Sequence, residues 1–482
     1  MASTYHVEGS GSNANNGLSA ATAWATLQFA ADHLSAGDTV LVGPGGYVGF
    51  NLQDRYASQA DPTVFLCQGA VVITSPCTYN DLDGINIENA AWVEVRGFEV
   101  NGMPRAGIRT ALSDHVTIAD NSCHANGVWG IFTGFAEHCI IEHNRCTGSI
   151  DQHGIYFSNS ADHPVIRYNT CAFNHDNGIH MNGDASQGGD GVISDARVYG
   201  NVIHDNGTGG GSGINCDGVV GSYFYNNLLY GNHASGISLY MIDAAAPSTG
   251  DRVFNNTIVN AADARWCVNI TEGCTDNQVL NNILINQHPW RGSITCDASA
   301  LSGFVSDHNL VVNSFSTDGG TAQTLAEWQA LGYDAHSLIA APLSALFVDV
   351  ASGDLHLLNA NAQAVDAGTS GVQAVVTDDL DGTLRPQGAA YDIGCYELAG
   401  VTGMATGDRD RQGPIRDRGD RIEVSPPAGG GRLIVLDGAG RVCAERRLNA
   451  STAEVRWNGT GLFVVQVLDA NGMPLAALRC VR

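Results

Sequence analysis

The dipeptide Gly-Ile returns at Gly84, Gly107, Gly130, Gly154, Gly178, Gly213 and Gly236, at intervals of 23, 23, 24, 24, 35 and 23 residues. An asparagine ladder runs in step with it: Asn121, Asn144, Asn169, Asn201, Asn227, Asn256 and Asn282. The step from Asn227 to Asn256 is 29 residues, so the coil after Gly236 is enlarged as well as the one after Gly178. Two residues beyond each Asn stands an apolar or thiol side chain: Cys123, Cys146, Cys171, Ile203, Leu229, Ile258 and Leu284. A fixed period of about 20 to 30 residues, built from short alternating segments, specifies a solenoid of stacked parallel strands. A leucine-rich horseshoe has a similar period, but its leucine signature is absent.

In such a solenoid each coil pairs with its neighbours at about 4.8 Å. Side chains alternate, so Ile179 and Met181 point inward while His180 and Asn182 point outward. The ladder asparagines are expected to take left-handed φ and to bond the amide of the neighbouring coil. Cys123, Cys146 and Cys171 then form an interior stack of small apolar groups. Trp24, Leu27, Ala31 and Leu34 have helical spacing before the strand Thr39 to Val42, which predicts an amphipathic plug for the N-terminal end. After Gln287 the repeat loosens, with a helical patch over Leu325 to Leu331 and strands to about Glu397. The expected organisation is an all-β helix with caps over residues 1–400 and a Gly/Arg/Asp linker over 401–420. A small β-sandwich is expected over 421–482, from the alternation at Leu433, Val435, Phe463, Val465 and Val467.

The chain has 482 residues, 59 of them glycine, and a net charge of −26. From Gly400 onward 12 Arg face nine acids, so the tail carries +3 and the body −29. All 23 basic residues are Arg; there is no lysine. An acidic body argues against nucleic acid. It also repels an anionic glycan unless Arg or a bound cation intervenes, and it fits equally an adaptation to a salty or surface habitat. Thirteen cysteines without a CxxC pair indicate neither a zinc ribbon nor a disulfide framework. No apolar run approaches the roughly 20 residues of a membrane span. Met1-Ala2-Ser3 leads straight into mature-looking sequence, as expected once a signal peptide has been removed.

Three stretches carry a family resemblance. They are Tyr5-His6-Val7 with Ala23 to Gln28 and Gly37 to Val40; His153 to Phe157 with Gly178 to Asp184; and Asp381-Gly382, Arg385-Pro386 and Tyr391 to Gly394. Together they resemble the bacterial right-handed parallel β-helix repeat family of the pectate-lyase-like superfamily, over about Ala2 to Leu398. The tail, through Leu433 to Asp437, Gly440-Arg441-Val442 and Gly461 to Val465, resembles a type IX secretion-sorting domain. The resemblance implies a right-handed single-stranded parallel β-helix, export to the cell surface or beyond, and removal of the tail on arrival. It does not imply one activity, because this fold hosts lyases, hydrolases, epimerases and non-catalytic proteins.

The outward positions of the Gly-Ile strands form two columns. The first reads Asn86, Arg109, Phe132, Tyr156, His180, Asn215 and Ser238; the second Glu88, Ala111, Gly134, Ser158, Asn182, Asp217 and Tyr240. From Tyr156 to Tyr240 titratable and hydrogen-bonding groups converge on four coils. The insertions Asp184 to Asp195 and Ile242 to Asp251 are expected to wall a groove there. A lyase would use His180 or His153 as base, Tyr156 or Tyr240 as acid, and Arg109 or Arg265 against a uronate carboxylate, over a floor of Asn182, Asn215 and Ser238. The lysine base of many β-helix lyases is excluded. A hydrolase would pair carboxylates from Asp184, Asp190 and Asp217, about 5 to 9 Å apart; the Asn-Thr-Asp and Gly-His-Gly pattern of polygalacturonases is missing. Asp184 and Asp190, with Asp217, also suit Ca²⁺.

Each residue has a plainer reading: a surface histidine, a turn-forming Asp, a sugar-stacking tyrosine. His124, His138, His143, His163 and His175 are assigned no role, and Trp129 and Trp290 are read as packing residues. The expected partner is a polysaccharide or oligosaccharide and the expected state a monomer. Lyase chemistry stands ahead of hydrolysis, with a non-catalytic glycan-binding or surface-structural protein as the third reading.

Overall fold

A computed structural model describes residues 2–398 and seven strands beyond them: Ile415–Asp417, Arg421–Val424, Gly431–Asp437, Val442–Leu448, Ala453–Arg456, Leu462–Leu468 and Pro474–Val481. The chain divides into two units, Met1–Val401 and Thr402–Arg482. In the second unit the strands form two antiparallel sheets, of three and four strands. Ile415–Asp417 lies inside the stretch expected to be linker but pairs with Arg421–Val424, so that expectation is corrected there. Residues 401–414 and 418–420 lie outside the described residues.

The first unit is the solenoid, of about 12 turns. One sheet of eleven parallel strands forms the face of interest: β1 (Phe50–Gln53), β2 (Ile85–Glu88), β3 (Ala106–Ala111), β4 (Trp129–Gly134), β5 (Ile155–Ser158), β6 (Ile179–Asn182), β7 (Ser212–Asp217), β8 (Ser235–Tyr240), β9 (Val268–Ile270), β10 (Ile294–Cys296) and β11 (Phe315–Ser316). The other two faces belong to a 22-stranded sheet, joined where Thr63–Ser75 and Ala91–Asn101 each run around a corner. The interior is a continuous apolar column, and Cys123, Cys146 and Cys171 stand in register and buried inside it.

Glycine before each isoleucine has a steric cause. A Cβ on Gly154 would stand 2.8 Å from the carbonyl oxygen of Gly178, and one on Gly178 would stand 2.8 Å from that of Gly213. Real side chains do not tolerate that approach, so the coils stack tightly only with glycine there.

The asparagine ladder works differently from expectation. The left-handed residue is the one before each ladder Asn: Asp120, His143, Tyr168, Asn226, Asn255 and Asn281 all have φ between 50° and 59°. That turn aims the following Asn inward along the stack. Asn169 Oδ1 accepts from the backbone N–H of Asn144 at 2.9 Å and from its Nδ2 at 3.0 Å, while Asn169 Nδ2 donates to the Ile141 carbonyl at 2.8 Å. The same unit repeats through Asn201, Asn227, Asn256, Asn282 and Asn309. A second ladder, Asn174 to Asn206 to Asn232, runs in parallel.

Helix α1 (Leu27–His33) plugs the N-terminal end, started by Thr26, whose side chain accepts from the Phe29 N–H, and burying Leu27, Ala30 and Ala31. The other end is covered by α2 (Leu325–Ala330), which has a Thr324/Glu327 capping box and a buried Trp328 stacked on Phe315. The closing segment folds back along the coils. Arg385 there is buried, paired with Glu397 at 3.1 Å and donating to the Gly394 carbonyl at 2.8 Å.

Asn169→Ala strands the Asn144 amide donors and the Ile141 carbonyl in a dry interior. The expected loss is about 2–4 kcal/mol of unfolding free energy, measured by urea denaturation, against a negligible change for an exposed asparagine such as Asn16→Ala.

Candidate functional site

Both outward columns are real rows. Tyr156, His180, Asn215 and Ser238 are consecutive register partners from β5 to β8, and Asn269 of β9 continues the row. Ser158, Asn182, Asp217 and Tyr240 form the second row.

The rows carry a directed hydrogen-bond chain. His153 Nδ1 faces two donors, the Asn177 backbone N–H at 3.4 Å and Asn177 Nδ2 at 3.1 Å. The amide orientation is set because Asn177 Oδ1 accepts from the Ser212 N–H at 2.6 Å. The neutral His153 therefore carries its proton on Nε2 and donates to His180 Nδ1, 3.0 Å away. His180 in turn carries its proton on Nε2, 3.4 Å from the Tyr240 hydroxyl. Asn215 Nδ2 donates to the same phenol oxygen at 2.8 Å. With both acceptor sites of that oxygen filled, the Tyr240 proton is left to point elsewhere.

Burial tunes every member. It lowers His180 to about 4, with its ring stacked on Tyr156 at 4.9 Å and 12°. It lowers His153 well below the usual imidazole value, with a smaller contribution from His180. Burial, then the charge of Asp217, pushes the Tyr240 phenol well above its ordinary value. At neutral pH the chain is two neutral imidazoles ending in a protonated phenol.

Beside Tyr240 opens a cleft of about 400 Å³. Ser212, Asn215, Ser238, Asn269 and Tyr240 line its floor, with Trp266, Arg265, Arg291 and Glu272 around it. Neither Arg265 nor Arg291 has a carboxylate partner among the described residues. The Arg291 guanidinium lies 4.8 Å over the ring of Trp290, which is 42 % exposed and so is not a core residue. Glu272 is the one carboxylate among the lining residues, and its Oε2 accepts from the Met241 N–H at 3.1 Å.

Several expected site residues lie elsewhere or are committed elsewhere. Arg109 is on β3, five coils from Tyr240, bonded to Asn86 at 2.6 Å and to Glu88 at 2.9 Å. Asp217 is 1 % exposed, and its carboxylate accepts from the N–H groups of Ile242, Asp243 and Ala244 at 2.9, 2.8 and 3.4 Å. It holds the second insertion in place and does not face the cleft as an acid or base. The two insertions bond to each other, Ala185 N–H to Asp243 O and Ala245 N–H to Gly191 O, both at 2.9 Å. Asp184 and Asp190 cap turns within the first, accepting from the Ser186 and Val192 N–H groups. Among the described residues, the side-chain groups arranged as metal donors lie elsewhere. His180 has both ring nitrogens engaged, so it orients Tyr240 and has no lone pair free to act as base. Tyr156 accepts from Asn182 Nδ2 at 3.3 Å and supports His180 from below.

Arg291, Glu272, Trp266 and Asn269 were not anticipated. The signal was weak: Cys267-Val268 stands where Gly-Ile would continue the repeat.

Residues 36–235, under half of the chain, match the family described as "Periplasmic copper-binding protein (NosD)". No curated protein matches. Among solved structures, pectate lyase Pel9A is similar over 82 % of this chain and 96 % of its own, at 16 % identity and a TM-score of 0.51. A rhamnogalacturonan lyase (13 % identity, 77 % and 98 % coverage, TM-score 0.47) and a glycoside hydrolase (10 %, 66 % and 95 %, 0.47) are also similar. The fold is that of a pectate-lyase-like right-handed parallel β-helix.

A buried neutral histidine favours the unfolded chain wherever the unfolded imidazole is protonated and the folded one is not. Stability is therefore expected to be full above pH 6.5 and to decline as pH falls toward about 4, the folded value of His180. Urea unfolding at pH 7, 5.5 and 4.5 measures this, and His180→Ala should reduce the slope.

Proposed function

We propose that the chain is a carbohydrate-active enzyme that cleaves an acidic polysaccharide by β-elimination in the cleft beside Tyr240. One observation supports this most: two arginines without carboxylate partners among the described residues share a cleft with a phenol whose proton is directed away from its hydrogen-bonded neighbours. In a body of −29 such arginines are the natural contact for a uronate carboxylate, and pairing that carboxylate acidifies the adjacent C–H. Glu272 accepts this proton. The C–H electrons form the new double bond, the bond to the glycosidic oxygen breaks, and Tyr240 donates its proton to that oxygen. Asn215 and His180 stabilise the phenolate left behind, and His153 holds His180 in the required tautomer.

Hydrolysis by paired carboxylates is less well supported, since Asp217 is occupied by backbone amides and Glu272 stands alone in the lining. Export fits an extracellular polymer as substrate, with the tail from residue 421 acting as a secretion-sorting domain.

On a panel of uronate polymers, cleavage is expected to raise ultraviolet absorbance through unsaturated products. Tyr240→Phe should lower kcat about 100- to 10,000-fold, Arg265→Ala should chiefly raise KM, and His180→Ala should lower kcat without abolishing it. New reducing ends without that absorbance would mean hydrolysis.

A further inference from the structure

On another corner of the helix four rings stack, one per coil. Trp92, His115, His138 and His163 have centroids 3.8, 4.4 and 4.9 Å apart. Each occupies a left-handed turn position, with φ of 56°, 54°, 50° and 56°, so the repeat delivers them to one place. Asp114 joins them: one carboxylate oxygen lies 2.9 Å from His138 Nδ1 and 2.8 Å from His115 Nδ1. His138 meets that oxygen along a hydrogen bond. His115 Nδ1 does not; it is buried, off the line a hydrogen bond needs, and has no other partner. The three donor atoms lie within 4.8 Å of one another, beside a separate cleft of about 260 Å³.

A second cluster, Asp307, His308 and His336, is similar in outline and different in detail. Asp307 accepts from the backbone N–H groups of His308 and His336 at 2.9 and 2.7 Å, and from His336 Nδ1 at 2.6 Å. His308 Nδ1 is 3.3 Å from the Ala367 carbonyl. There the carboxylate is taken up by backbone and ring donors, whereas in the first cluster His115 Nδ1 sits close to Asp114 without the geometry of a hydrogen bond.

We propose that Asp114, His115 and His138 hold a divalent transition metal ion of the zinc class. Two imidazoles and a carboxylate are a ligand set for such ions, and three protein ligands leave a position open to solvent or substrate. Donors around an ion bound at about 2.0–2.1 Å stand about 3.3 Å apart, little more than the 2.8 and 2.9 Å from Asp114 to the two imidazoles. His138, whose side chain is 43 % exposed, has room to turn its ring onto the ion. Each imidazole ligates through an unprotonated Nδ1, so in the bound form its ring proton sits on Nε2. The site is separate from the cleft beside Tyr240 and does not depend on the proposed activity.

The test uses the full chain, stripped with EDTA and dialysed against micromolar ZnCl₂, with bound metal measured by mass spectrometry. One zinc per chain is expected, with Ca²⁺ not competing. His138→Ala and the isosteric Asp114→Asn should each weaken binding at least tenfold, while His336→Ala should leave it unchanged. A Co²⁺ titration should show visible bands of a low-symmetry nitrogen and oxygen site, lost in the same two variants. The proposal is overturned if the wild-type chain retains no more zinc than His138→Ala, or if either site variant, with an unaltered thermal melt, binds as the wild type does. Loss of zinc in His336→Ala alone would overturn it as well.

Discussion

Everything in the first unit depends on coils lying directly over one another, and the interaction that enforces this is the asparagine ladder. Each ladder side chain satisfies donors of the coil on one side and a carbonyl at the neighbouring turn, in an interior where water cannot substitute. A left-handed residue before each Asn aims it along the stack, and glycine before each isoleucine removes the Cβ that would hold the coils apart. These requirements recur once per coil, so a register error in one coil would leave several buried groups unpaired.

That rigidity is what allows weakly polar side chains to form a chemical site. His153, His180 and Tyr240 come from three different coils, yet each meets the next at hydrogen-bond distance. Burial keeps both imidazoles neutral, and a fixed backbone donor at His153 gives the chain its direction. Arg265 and Arg291 stand at the cleft without a carboxylate partner among the described residues. Arg109, with the same charge on the same face, is bound to Glu88 and Asn86.

Much of this geometry was legible in the chain. The rows of outward residues and the buried cysteine column follow from the period and from strand alternation, and the N-terminal plug from helical spacing, all of them local properties. Glu272 and Trp266 were missed because Cys267-Val268 stands where Gly-Ile would continue the repeat, and Arg291 lies a further coil on, so the dipeptide that marks each coil stops before the cleft does. Asp217 was misjudged for another reason. Its place in an outward row was correct, but the second insertion folds three amides over it.

The amino-acid sequence alone determined the stacking, since glycine, isoleucine and asparagine at a fixed spacing leave a chain little else to do with its backbone polar groups. It determined which residues share a row, because strand alternation has a period of two. Which of those residues are free to act was decided only in three dimensions. Availability depends on what lies against each side chain: the amides of an insertion above Asp217, a carboxylate of the adjacent strand beside Arg109, open cleft beside Arg265 and Tyr240. Such contacts depend on side-chain conformation and on the path of each insertion, which the repeat does not specify.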